Sequence, residues 1–196
     1  ILIGEIRDAE TAQIAVQSSL TGHLVFSTLH TNDAPGAVTR LVDMGVEPYL
    51  VASSLESVLA QRLVRMLCPH CKQPDISPTA QAFKTKLGIT ADKTIYKSVG
   101  CRACRSTGFF GRQAIFEWMD TDEEIRQLIL KSASTDQVRA AARKSGMRSL
   151  AEDGWRLVAA GITTVEEVLS VTTAKEVESS AKIQTEESTA SIAVAR

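Results

Sequence analysis

The stretch ILIGEIRDAETAQIAVQSSLTGHLVFSTLHTN (residues 1–32) decides the fold class. Ile1-Leu2-Ile3 is an apolar run without polar alternation, the pattern of a parallel strand covered on both faces, and it ends on Gly4 and Glu5. Ala12, Ile14, Ala15, Val16 and Leu20 then suit a helix stopped by Gly22. Leu24 to Thr28 reads as a second buried strand. In HTNDAPGAVTRLVDMGV (30–46), Asn32 or Asp33 serves as N-cap, Pro35 falls in the first turn, Val38, Leu41 and Val42 are apolar, and Gly45 ends the helix. Strand, helix, strand, helix is the grammar of a parallel sheet in an α/β fold. The opening run is too short for a whole central strand, so the chain is expected to be a piece of a longer protein.

Farther along, Leu50, Val51, Leu55, Val58, Leu59 and Leu63 predict an amphipathic helix from Pro48 to about Met66, with Arg62 and Arg65 near its C-terminal end. The region 67–112 changes character, holding three of the five prolines and all four cysteines. Cys68, Cys71, Cys101 and Cys104 form C-x2-C, 29 residues, C-x2-C. Matched pairs at this spacing read as tetrahedral thiolate ligation of zinc, with two disulfides as the competing reading. His70 is a bystander in that set, and Lys97, Arg102, Arg105 and Arg112 give the region a basic face. From Ile115 helical grammar resumes: Thr121 with Glu124 as a capping box, Ser134 or Thr135 and then Ser149 as helix starts, Thr164 with Glu167 as another box, and Gly146 and Gly161 as stops. The expected organisation is 1–66 as an α/β part, 67–114 as a tetracysteine zinc subdomain, 115–173 as a helical subdomain, and 174–196 as a disordered tail.

Composition bounds the function classes. The 196 residues are 44% hydrophobic and 23% charged, with net charge −1, so no global field draws the chain onto nucleic acid or anionic lipid. No stretch approaches the roughly 18 apolar residues of a membrane-spanning helix.

An acid at the carboxyl end of a parallel strand stands where such sheets open their crevice, and nucleotide hydrolases of the P-loop class use it to hold magnesium or orient water. Glu5 meets that requirement, and the second strand delivers the hydrogen-bonding groups Ser27, Thr28, His30, Thr31 and Asn32 to the same edge, where a γ-phosphate could be sensed. A solvated loop acid and helix-start residues are the plainer reading of the same pattern.

The segments GEIRDAETAQIAVQSSLTGHLVFSTLHTNDA, AQRLVRMLCPHC, VGCRACRSTGFFGRQAIFE and GMRSLAEDGWRLVAAGITTVEEVL resemble the C-terminal half of the GspE/PilB family, the hexameric ATPases of type II secretion and type IV pilus assembly. The resemblance runs from Ile1 to about Thr172. It implies a RecA-like P-loop sheet, with ILIGEIRD as the Walker B region and Glu5 as its catalytic acid. It implies that TGHLVFSTLHTN is the histidine box, with His30 as γ-phosphate sensor or relay between subunits, and that Arg7, Asp8, Thr28 and His23 stand around the nucleotide. Arg7 and Asp8 are expected to bridge one another, and His23 to be a buried, hydrogen-bonded histidine. The cysteine tetrad corresponds to the zinc site of assembly-type members, and Gln61 and Arg62 to a subunit-facing helix. The implied cofactors are ATP, Mg2+ and Zn2+. The implied partners are five further copies in a homo-hexamer and an inner-membrane platform protein, with a cytoplasmic location peripheral to that membrane and no nucleic acid. No glycine here is followed by lysine, so the phosphate-binding loop G-x4-G-K-[ST] is absent and the chain alone is expected to lack ATPase activity. A stand-alone zinc-ribbon binding module is the alternative; it explains the cysteines but not GEIRD or STLHTN.

Overall fold

A computed structural model describes residues 1–87, 89–90 and 92–172; the expected tail lies outside them. Two compact units divide the chain: Ile1–Ala60 with Glu117–Arg148, and Gln61–Phe116 with the segment from Ser149 onward.

In the first unit, residues 1–6 and 24–28 run parallel, bridged at Leu2 and Phe26. Ile3 N–H donates to Phe26 O (2.8 Å) and Ile6 N–H to Thr28 O (2.9 Å). The intervening crossover is α1 (Ala9–Leu20), capped by Asp8, whose side chain accepts from Thr11 N (2.8 Å), and left through Gly22 at φ +94°. The parallel pairing matches the sequence reading, but burial on both faces does not: Leu2 is 83% and Phe26 60% exposed. Ile3, Ile6 and Val25 face the core, while Leu2, Leu24 and Phe26 on the opposite side are exposed. α2 (Ala34–Asp43) takes Asp33, not Asn32, as its cap and buries Ala34, Ala37, Val38 and Leu41.

The expected helix from Pro48 to Met66 is corrected. α3 (Pro48–Ser54) is short, Leu55 turns extended, and Ser57–Leu67 is strand β1. Leucines at 55, 59 and 63 are four apart, a spacing that puts them on one side of a helix and equally on one side of a strand, since four is a multiple of two. Pairing of β1 with β4 (Phe109–Asp120) decides between the two, and Leu59 and Leu63 land on the exposed side.

Two further helices complete this unit, α5 (Glu123–Leu130) and α6 (Thr135–Lys144). α3 packs on α5, and α2 on α6. Their core joins Val38, Val51, Met119, Ile125, Ile129 and Val138 to the inner side of the parallel pair. The Thr121–Glu124 box is replaced by Asp122, which accepts from Ile125 N (2.9 Å); Thr121 is instead spent at the end of β4, donating its N–H to Glu56 O. Ser134, rather than Thr135, starts α6, and it forms a capping box with Gln137.

The second unit carries the cysteines. Its small antiparallel pair, β2 (Gln73–Pro74) and β3 (Tyr96–Lys97), brackets α4 (Pro78–Lys86). α7 (Leu150–Ala159), opened by the Ser149–Glu152 box, packs on α8 (Val165–Val171). A Cβ on Gly154 would stand 2.6 Å from Val168 Cγ1, so this glycine lets the two helices approach. Thr164 caps α8, but Glu167 does not close a box, because its carboxylate turns to Arg65.

Candidate functional site

The two parallel segments deliver their carboxyl ends side by side, and this places the sequence-selected groups. Glu5 Oε1 accepts from Arg7 Nη2 (2.5 Å) and Oε2 from His30 Nε2 (2.9 Å). A carboxylate only accepts, so Nε2 carries the proton in that contact. Hydrogen bonding from Arg7 holds the Glu5 carboxyl below its ordinary value, with His30 adding to the effect against a smaller opposing push from desolvation. His30 is 84% exposed at its side chain, and Glu5 30%. Thr28 Oγ1 donates to Gly4 O (2.8 Å), tying the second strand to the turn before the acid.

Other expectations are redrawn. Arg7 bridges Glu5 rather than Asp8, which is engaged as the α1 cap. His23 is exposed, not buried, although its Nδ1 lies 3.2 Å from both Ser18 O and Thr21 Oγ1. Gln61 and Arg62 stand on strand β1. Glu117 and Arg139 escaped the sequence reading: Ala34 N–H donates to Glu117 Oε1 (2.8 Å), and Arg139 to Asp33. The signal for Glu117 was an acid at an inward position of the alternation Ile115, Glu117, Met119.

In the second unit the four thiols converge, their sulfurs within 4.8 Å of one another. Sγ–Sγ distances are 3.9 Å for Cys68–Cys101 and 3.8 Å for both Cys71–Cys104 and Cys101–Cys104. A tetrahedron with metal–sulfur bonds of about 2.3 Å has edges of about 3.8 Å, whereas a disulfide requires about 2.05 Å. The disulfide reading falls, and the donor set fits a zinc-type cation. The backbone is shaped to the sulfurs: Cys101 and Gly108 N–H donate to Cys104 Sγ (3.1 and 3.2 Å), and Gly100 N–H to Cys71 Sγ (3.4 Å). Burial pushes the Cys104 thiol up, but the Cys101 and Gly108 amides together with the Cys101 and Cys71 thiols outweigh it and bring it to about 6; burial and the neighbouring thiols push Cys71 to about 11 against the Gly100 amide. One thiolate raises the next proton's affinity unless a cation shares the cluster. The knuckle's return passes Arg105 and Ser106 at φ 52° and 61°, a left-handed turn that Ser106 N–H closes on Cys101 O (2.8 Å).

This RecA-like fold is shared with solved ATPases. The pilus retraction motor PilT with bound ADP superposes with TM-score 0.60 at 23% identity over 91% of this chain and 41% of that one; DotB of Legionella pneumophila gives 0.55 at 23% over 86% and 37%. Residues 1–170 match the family described as "Type II/IV secretion system protein", and the chain belongs to it. Among its relatives, the type II secretion system protein HxcR of Pseudomonas aeruginosa is 55% identical over 88% of this chain and 33% of its own length. Type II secretion system protein E of the same organism is 52% identical over 88% and 34%, and the type IV pilus assembly ATPase PilB of Myxococcus xanthus 49% over 88% and 31%. The chain thus spans about a third of the length of these relatives. Among the described residues no helix is long and apolar enough to cross a membrane.

Proposed function

We propose that this chain is the C-terminal part of a hexameric ATPase that couples hydrolysis of magnesium-bound ATP to type II secretion or type IV pilus assembly. The parent works in the cytoplasm, peripheral to the inner membrane, against a membrane-embedded platform protein. The observation that carries the reading is the meeting of Glu5 and His30 at the ends of two parallel strands, in a chain whose relatives are such motors.

Glu5 is the acid that polarises the attacking water. Both of its oxygens are engaged, by Arg7 and His30. A γ-phosphate arriving from an upstream phosphate-binding loop competes for those two donors, and each one it draws away frees a carboxylate oxygen to accept from water. Magnesium, when bound with the nucleotide, neutralises phosphate charge. Thr28 and Asp8 hold the surrounding backbone, whereas His23, which precedes the second parallel segment, stands at the opposite end of the pair, level with Ile1. The tetracysteine region, residues 67–114, takes one structural zinc, which contributes on the order of 10 kcal/mol to the order of a segment with little apolar material of its own.

The test is to express the whole open reading frame that contains this chain. It is expected to carry G-x4-G-K-[ST] upstream and to hydrolyse ATP with magnesium, and Glu5→Gln is expected to lower kcat by about 100-fold or more while ATP still binds. Unchanged turnover in that variant refutes the role given to Glu5.

A further inference from the structure

The loop that presents His30 is anchored from behind by buried charges that hydrolysis itself does not call for. Asp33, three positions after His30, caps α2 by accepting from Gly36 N (2.8 Å) on Oδ1. Its Oδ2 accepts from Arg139 Nη2 of α6 at 2.8 Å, and the two side chains are 11% and 18% exposed. Beside them the fully buried Glu117 accepts from Ala34 N–H, and Arg139 feels its charge as well as that of Asp33 and Asp136. The positive N-terminal end of α2 and its amides add to the stabilisation of the Asp33 carboxylate. Thr31 Oγ1 donates to Asp33 O (3.0 Å), stitching the loop to this cluster, and Thr39 and Thr135 hydroxyls meet at 3.0 Å to tie α2 to α6 a second time.

Capping α2 needs only a short polar side chain. Asp33 alone supplies it, so the cap does not explain an arginine drawn into the interior from 106 residues away. Burying an ion pair is weak evidence for stability, since apolar residues of similar volume often serve as well, and its best-attested use is to fix one arrangement against others. The arrangement fixed here is the path of residues 30–33 relative to α6.

We propose that Arg139 is a positioning residue for hydrolysis: by holding Asp33 it sets where His30 meets Glu5, so that α6 and the histidine loop move together. This rests on the ATPase reading above. It makes α6 the element through which a change at the γ-phosphate reaches the rest of the unit.

The experiment uses the full-length ATPase in steady-state kinetics. Arg139→Gln is expected to lower kcat by about tenfold with KM for ATP changed less than twofold, because binding groups stay in place while the His30–Glu5 geometry loosens. Arg139→Lys keeps the charge but loses the planar fork, and recovers part of that loss; it also serves if Arg139→Gln fails to fold. The deciding measurement is the cycle with His30→Ala. If Arg139 acts through His30, then in the His30→Ala background Arg139→Gln or Arg139→Lys costs less than twofold more. Additive losses, or an Arg139 variant with lowered thermal stability and wild-type kcat, overturn the proposal and leave a structural ion pair. The two readings fail separately: if Glu5→Gln leaves turnover intact, the assignment of the hydrolytic site falls, whereas if Glu5→Gln abolishes turnover and the Arg139 cycle is additive, only the positioning role falls.

Discussion

Replacing Glu167 tests how the second unit is fastened, because one buried acid accepts twice from a single residue distant in sequence. Its side chain is 10% exposed; Oε2 accepts from Arg65 N–H (3.1 Å) and Oε1 pairs with the Arg65 guanidinium, which lies 4.2 Å from the Phe109 ring centroid. Arg65 is 55% exposed, so the ionic part is screened and amounts to roughly 0.5–1 kcal/mol. The backbone N–H is another matter: with no acceptor it costs about 1–2 kcal/mol. Glu167→Ala is therefore expected to destabilise by about 2–3 kcal/mol, and Glu167→Gln, which keeps an acceptor for the amide and loses only the charge, by about 1 kcal/mol. The pH dependence has a definite sign. Hydrogen bonding from Arg65 holds the Glu167 carboxyl below its ordinary value of 4.5, outweighing desolvation. A depressed folded-state pKa stabilises above the unfolded value and the gain is lost as pH falls through the folded one. Urea unfolding at pH 7 and again at pH 3 checks this, with the gap between wild type and Glu167→Gln narrowing at the lower pH. An unchanged gap, or equal losses for Gln and Ala at pH 7, would refute the division between amide and charge.

Two further outcomes follow from the cysteine region. Elemental analysis of purified protein is expected to give about one zinc per chain, lost in Cys104→Ser; a metal-free wild type would sink the site. Gly108→Ala should destabilise by about 2 kcal/mol or more in chemical unfolding, since Gly108 sits at φ +77° and its Cβ would lie 2.6 Å from Ser98 Cβ. Wild-type stability in that variant would mean that the knuckle's return is softer than its geometry implies.

Chemistry that depends on order along the chain was legible in the sequence. Glu5 and His30 could be placed on one edge because parallel strands joined by a helix must present both carboxyl ends to the same side, and the cysteine spacing fixed its own geometry. What escaped was set by partners distant in sequence. Leucines at 55, 59 and 63 fit a helix and a strand alike, and only pairing with β4 chose the strand. Thr164 with Glu167 had the spacing of a capping box, but Arg65 offered the carboxylate two donors, including a charged one that the local amide could not match. Arg7 had acids at positions 5 and 8 and took the first because Asp8 was committed to α1. The same logic explains why Arg139 stayed hidden. On its own helix it reads as an ordinary polar residue, and it acquires meaning only where Asp33, committed through one oxygen to the start of α2, presents its other carboxylate oxygen for it to meet. A side chain recruited to balance charge at an element remote in sequence has no local signature. The balance must be struck in three dimensions, and there it links the loop bearing His30 to a helix that no motif had connected with hydrolysis.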